Sequence, residues 1–121
     1  MRKATIAALA ALTLLAFTGC SNDPAQNVTL TEDTIIIDVR TPAEYAEGHL
    51  EGATLLDYNA GQLAAELDSL DQNTQYAVYC RSGNRSAQSK RLMEDAGITN
   101  VIDLGSVQDA AASTGINIVT D

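Results

Sequence analysis

Tyr76-Ala-Val-Tyr79-Cys80-Arg81-Ser82-Gly83-Asn84-Arg85-Ser86 decides how this chain is read. Tyr76 to Tyr79 is an apolar run of the buried-strand type, and it stops at a cysteine. The residues that follow are polar, with one glycine and two arginines. A helical segment, Ser86 to Ala96, comes next without a break. A cysteine between a strand end and a helix start lies where backbone N–H groups point inward and lack partners. That environment favours anions, a thiolate among them.

Upstream of this stretch, Thr34 to Val39 is a second continuous apolar run, rich in β-branched residues. Such a run fits a strand covered on both faces, as in a parallel sheet. Thr41-Pro42-Ala43-Glu44 is a helix start, with a capping hydroxyl, proline at the first helical position and an acid three residues after the cap. Gly48 ends that helix early. Arg40 and Glu44 are expected to pair, as a structural contact. His49 is expected to be a hydrogen-bonded turn residue, since no second histidine is present to share a metal. Gly52 marks another turn, and Ala53 to Leu56 reads as a short strand. Gly61 to Leu70 carries a helical stripe of Leu63, Ala64, Leu67 and Leu70. Asp71 to Thr74 is a turn.

Downstream, Ser89, Leu92, Met93 and Ala96 share a helical face and Gly97 supplies the stop. Asn100 to Leu104 reads as a strand, Ser106 to Ser113 as a small helix, and Ile116 to Val119 as a last strand or a loose tail. Asn27 to Leu30 reads as a short edge strand. Strands alternating with helices predict an α/β fold with a mainly parallel sheet. Ligands of such sheets bind beyond the carboxyl ends of the strands, where Cys80 and Arg40 both fall.

The 121 residues suffice for one domain. Arg2 and Lys3, then the apolar run Ile6 to Phe17, then Phe17-Thr18-Gly19-Cys20, make a pattern of basic, apolar and small residues that predicts a cleaved signal. It resembles a bacterial lipoprotein signal, which implies removal of residues 1–19, lipid on Cys20, and a tether over residues 20–29 ahead of a domain at 30–121. The protein is then expected in the cell envelope, facing the periplasm or the exterior. Ser21 is not the aspartate that retains such proteins at the inner membrane. Processing leaves Arg40, Arg81, Arg85, Lys90 and Arg91 against all 16 acids, which excludes nucleic acid as a partner. All of those bases but Arg40 cluster between Arg81 and Arg91. Clustered positives are usually a solvated face; around one cysteine in so acidic a chain, they argue for a local anion site. If Cys20 carries lipid, Cys80 has no disulfide partner. Free cysteine is usually a small buried hydrophobe, and that plain role competes with any chemistry. No metal or cofactor site is expected, and neither a heptad nor a broad apolar face argues against a monomer.

Ile37-Asp-Val-Arg-Thr-Pro-Ala-Glu44-Tyr45, Glu47-Gly-His49-Leu50, Gly52-Ala53, Val78-Tyr-Cys80-Arg-Ser-Gly83-Asn-Arg85-Ser86 and Asn100-Val-Ile-Asp-Leu104-Gly105 together resemble a rhodanese-like sulfurtransferase domain, in that family's order. The resemblance implies a three-layer fold with a small parallel sheet between helices. It implies that Cys80 attacks the sulfane sulfur of thiosulfate, releases sulfite and carries a persulfide to cyanide or a thiol. The N–H groups of residues 81–86 would cradle the anionic sulfur. Gly83 permits the tight turn. Arg81 and Arg85 would add positive charge, with Arg85 ranked above Arg81. Ser82, Asn84 and Ser86 are lesser contacts, and Asp38 and Arg40 belong to the surrounding frame, Arg40 toward the rim. The chain departs from the pattern after Leu104, where Gly105-Ser106-Val107 stands for a glycine pair and a nearby tryptophan, and at Glu51, where proline is usual. Phosphatases and arsenate reductases also wrap a cysteine and an arginine around an anion. Their loops place five residues between the two, whereas Arg81 to Asn84 makes four here. A tethered binding or redox-sensing module, with Cys80 oxidised reversibly, is the other alternative.

Overall fold

The computed structural model describes residues 28–120. The expected signal, the Cys20 lipid site and most of the tether lie outside those residues. Four parallel strands form the central sheet: β1 (Ile35–Asp38), β3 (Thr54–Leu55), β4 (Tyr76–Cys80) and β5 (Val101–Ser106), in the order β3-β1-β4-β5. A two-stranded antiparallel ribbon pairs β2 (His49–Leu50) with β6 (Ile118–Val119). The helices are α1 (Pro42–Glu47), α2 (Gln62–Glu66, continued by a 3₁₀ turn over Leu67–Ser69), α3 (Asn84–Asp95) and α4 (Val107–Thr114).

The central strand explains the layering. Every residue of β4 is buried, so its alternating side chains must meet apolar partners on both faces of the sheet. Tyr76, Val78 and Cys80 go to a core with Ile37, Leu63, Met93 and Ile98, which joins β4 to α2 and α3. Ala77 and Tyr79 go to the other, with Leu50, Leu104, Val107 and Ala110, which joins it to α4 and the ribbon. Two cores on one sheet give three layers, as expected.

Several boundaries differ from expectation for stated reasons. α3 begins at Asn84, two residues before the expected start, because Gly83 (φ +96°) turns the chain into it. Only residues 81–83 therefore bridge β4 and α3. Along α3, Ser89 and Met93 are buried but Ala96 is exposed. Val28–Leu30 is not a strand; the Val28 N–H donates to Ser113 O at 2.9 Å, and Val28 and Leu30 pack on the second core. His49 is a strand residue, not a turn residue. It pairs with Val119 in the ribbon, its ring stacks on Tyr45 at 3.6 Å, and its Nδ1 lies 2.9 Å from Tyr45 O. Ala64 of the α2 stripe is exposed. β5 runs on to Ser106 through a bulge, where Val78 faces Asp103 but Tyr79 faces Gly105. Ser106 then caps α4 by accepting from the Asp109 N–H at 3.1 Å, so that helix forms without the glycine pair or tryptophan.

Candidate functional site

Cys80 ends β4, and the left-handed Gly83 folds the chain back over three residues. This aims the Gly83 N–H at Cys80 Sγ, 2.9 Å away. Ser86, in the first turn of α3, completes a small ring. Its Oγ lies 3.5 Å from Sγ, and its hydroxyl donates to Gly83 O at 3.1 Å. Of the amides of residues 81–86, Gly83's is the one bonded to Sγ, a narrower cradle than expected. Cys80 itself is 0% exposed and belongs to the α3-side core. Arg81, Ser82 and Asn84 beside it are exposed.

A Cβ on Gly83 would come no nearer than 3.8 Å to Gly105 Cα, so space is not the constraint there; the backbone angle is. Gly83→Ala is expected to cost about 1–2 kcal/mol through the strained left-handed conformation and to disturb the amide on Sγ. Chemical denaturation measures the first, and the alkylation rate of Cys80 relative to wild type reads the second.

The arginines divide their duties differently from the expected order. Arg85 forks onto Glu44, Nη1 to Oε1 at 2.9 Å and Nη2 to Oε2 at 3.0 Å. Both of its terminal nitrogens are therefore occupied. Glu44 also closes a capping box with Thr41 at the start of α1. The Arg85 hydrogen bonds, outweighing partial burial, pull the Glu44 carboxyl down to about 2 from 4.5. Because the folded value is depressed, the pair stabilises the fold fully above about pH 4.5, and that contribution is lost as pH falls toward 2. Glu44→Gln should therefore lower stability by about 1 kcal/mol at neutral pH and flatten the acid limb of the stability curve, read by urea unfolding at stepped pH. Arg81, ranked below Arg85 from sequence, is exposed and has no ion-pair partner among the described residues.

Arg40 pairs with Asp38, where Glu44 was expected. Its Nε donates to both Asp38 oxygens at 2.9 and 3.0 Å, and its Nη2 to Oδ2 at 2.7 Å. The same Nη2 reaches Gly48 O at 2.6 Å. Tyr79 closes this network: its hydroxyl donates to Asp38 Oδ2 at 2.8 Å and accepts from the Leu50 N–H at 3.0 Å. Burial pushes the Tyr79 phenol well above its ordinary value. The Arg40 guanidinium lies 5.5 Å from the Tyr79 ring centre. Asp38 and Arg40 thus hold the ends of β1, β4 and β2 together. Sequence reasoning gave Glu44 the wrong arginine and gave Tyr79 no role beyond the strand. A tyrosine inside an otherwise apolar buried run was the available signal, since its hydroxyl needs a partner.

A cleft of about 450 Å³ opens at the carboxyl ends of β1, β4 and β5, lined by Arg40, Glu44, Glu47, Arg81, Val107 and Gln108. A larger, open hollow of about 630 Å³ lies at the opposite end of the sheet, where Asp33 is the sole ionisable lining residue. The first of these adjoins the cysteine loop.

Known proteins point the same way. The rhodanese-like domain family model matches residues 23–109. A sulfurtransferase of Allochromatium vinosum is 31% identical over 99 residues, 82% of this chain and 91% of that protein. The thiosulfate sulfurtransferase PspE of Escherichia coli is 32% identical over 75 residues, 62% of this chain and 72% of that one. Among solved structures, an E. coli rhodanese with anions matches with a TM-score of 0.63 at 27% identity, over 73% of this chain and 99% of that chain.

Proposed function

The chain belongs to the rhodanese-like domain family of sulfurtransferases, and we propose that it moves sulfane sulfur from thiosulfate through a persulfide on Cys80. The observation that carries this reading is the Gly83 N–H held 2.9 Å from Sγ at the start of α3. A main-chain donor fixed on a sulfur at a helix N-terminus stabilises negative charge there without reorganising. The Cys80 thiolate attacks the outer sulfur of thiosulfate, a new S–S bond forms, the original S–S bond breaks, and sulfite leaves with the electron pair. A thiolate or cyanide then takes the outer sulfur, and Cys80 departs as thiolate. No external oxidant is needed. Because the sulfur is covered at rest, thiosulfate reaches it by displacing the exposed side chains of Arg81 and Ser82, while the Gly83 N–H stays on the sulfur. Arg81 supplies the mobile positive charge for the donor, while Arg85, tied to Glu44, braces the loop.

Two half-reactions through one covalent intermediate predict ping-pong kinetics. Thiocyanate formation at varied thiosulfate and several fixed cyanide concentrations should give parallel double-reciprocal lines. Intersecting lines would require both substrates to be bound together and would overturn the mechanism. Complete burial of Cys80 favours a second reading, a tethered binding or redox-sensing module. That module would form no thiocyanate above the level of a Cys80→Ser protein.

The basic, apolar and small-residue pattern ending at Cys20 supports a lipid-anchored protein in the cell envelope. Among the described residues, no helix is long and apolar enough to cross a membrane. Cells fed labelled palmitate should label the wild-type protein. Cys20→Ala should abolish the label, and a persistent label would place the lipid elsewhere or remove this reading.

A further inference from the structure

We infer that the cleft beside the cysteine loop is a subsite for the sulfur acceptor, and that it selects a zwitterionic amino-acid thiol. This inference rests on the sulfurtransferase reading, and it names the acceptor class which that reading leaves open.

Two charged groups of the cleft are already engaged. Glu44 is taken up by Arg85. Arg40 is 4% exposed, and its Nε and Nη2 are bonded to Asp38 and Gly48 O. Its Nη1 has no hydrogen-bond partner, yet no fully covered side-chain nitrogen or oxygen among the described residues lacks one. The free face of this otherwise buried guanidinium therefore opens into the cleft that Arg40 lines. Arg81, the residue after Cys80, adds a second cation without a partner. Glu47, at the end of α1, supplies a carboxylate that has none either. Gln108 contributes an amide that can donate or accept.

Opposite charges thus line one cleft without closing on each other. A simple anion would gain the arginines but face Glu47, and a simple amine would gain Glu47 but face the arginines. A ligand carrying both a carboxylate and an ammonium matches the pattern, and each mismatched partner is penalised. The carboxylate lies on Arg40 Nη1 and Arg81, the ammonium on Glu47, and the thiol faces the loop. Its thiolate attacks the outer sulfur of the Cys80 persulfide. The bond from Sγ to that sulfur breaks, Cys80 leaves as thiolate, and the acceptor departs as a persulfide.

Binding is separable from turnover by blocking the thiol. Amide chemical shifts of the labelled protein are followed during titration with S-methylcysteine, 3-(methylthio)propionate and 2-(methylthio)ethylamine. S-methylcysteine should shift Arg81, Val107 and Gln108 saturably and bind about tenfold more tightly than either truncated ligand, the typical effect of one charge-assisted hydrogen bond. Glu47→Gln should erase its advantage over the propionate and keep its advantage over the amine. Equal binding of the three ligands, shifts confined to other residues, or an unaltered ranking in Glu47→Gln would overturn the subsite. Selective binding with no persulfide chemistry would sink the enzymatic reading alone. Persulfide transfer to cysteine with unselective binding would sink the subsite alone.

Discussion

Cys80→Ser protein folds normally and forms thiocyanate at least about a thousandfold more slowly than wild type, the scale of loss seen when a covalent nucleophile is removed. The fold survives because a serine hydroxyl satisfies the same neighbours: it accepts from the Gly83 N–H and exchanges a hydrogen bond with Ser86. The activity does not survive, since an alkoxide is poorly populated at neutral pH and an oxygen cannot hold the sulfur as a persulfide. Initial rates with thiosulfate and cyanide, read beside a thermal melt, check both halves. A loss below tenfold in a folded variant would mean that sulfur does not pass through this residue.

Asp38→Ala is expected to have the largest effect on stability, about 3–5 kcal/mol, because it strands a buried cation. Asp38 is 0% exposed and Arg40 4%, so apart from the Nη1 that faces the cleft the pair has little water to fall back on. The substitution removes every acceptor that the Arg40 Nε and backbone N–H use, together with the one that receives the Tyr79 hydroxyl. Small domains are stabilised by about 5–15 kcal/mol in total, so much of the folded margin disappears. The urea midpoint should fall accordingly. A shift equivalent to less than about 1 kcal/mol would show that Arg40 finds another partner, and the frame described for the ends of β1, β4 and β2 would be wrong.

How far the sequence could be read depended on whether the signal was local. The apolar runs at Ile35–Asp38 and Tyr76–Cys80 became the two middle strands because their shortness and, in the first, its β-branched residues suit a strand better than a helix, although Ile35 at the start of β1 is 40% exposed where covering on both faces was expected. The capping box at Thr41 and Glu44 was legible for the same reason, as its two halves lie three residues apart. The loop's cysteine, glycine and first-turn serine were recognisable as a group, and the structure gathers them within hydrogen-bond reach of Sγ. Partner choice was not legible. Arg40 and Glu44 sit four residues apart and looked like a pair, yet Glu44 bonds an arginine 41 positions away and Arg40 turns back on Asp38. Nothing in local spacing encodes that exchange; it follows from the parallel pairing of β1 with β4, which brings the residues after Asp38 beside those after Tyr79. The same pairing ties Arg85 to Glu44, while Arg81 has no ion-pair partner among the described residues. The His49 strand was equally hidden, because its partner, Val119, comes from the far end of the chain.

Whether Cys80 accepts sulfur is decided most directly by intact-mass spectrometry of the purified protein after incubation with thiosulfate, with Cys80→Ser treated in parallel. The account predicts one added sulfur atom on the wild-type protein, localised to the peptide carrying Cys80, discharged by cyanide, and absent from the serine variant. An unmodified wild-type protein, shown to be folded under the same conditions, or an adduct that Cys80→Ser retains, would contradict it.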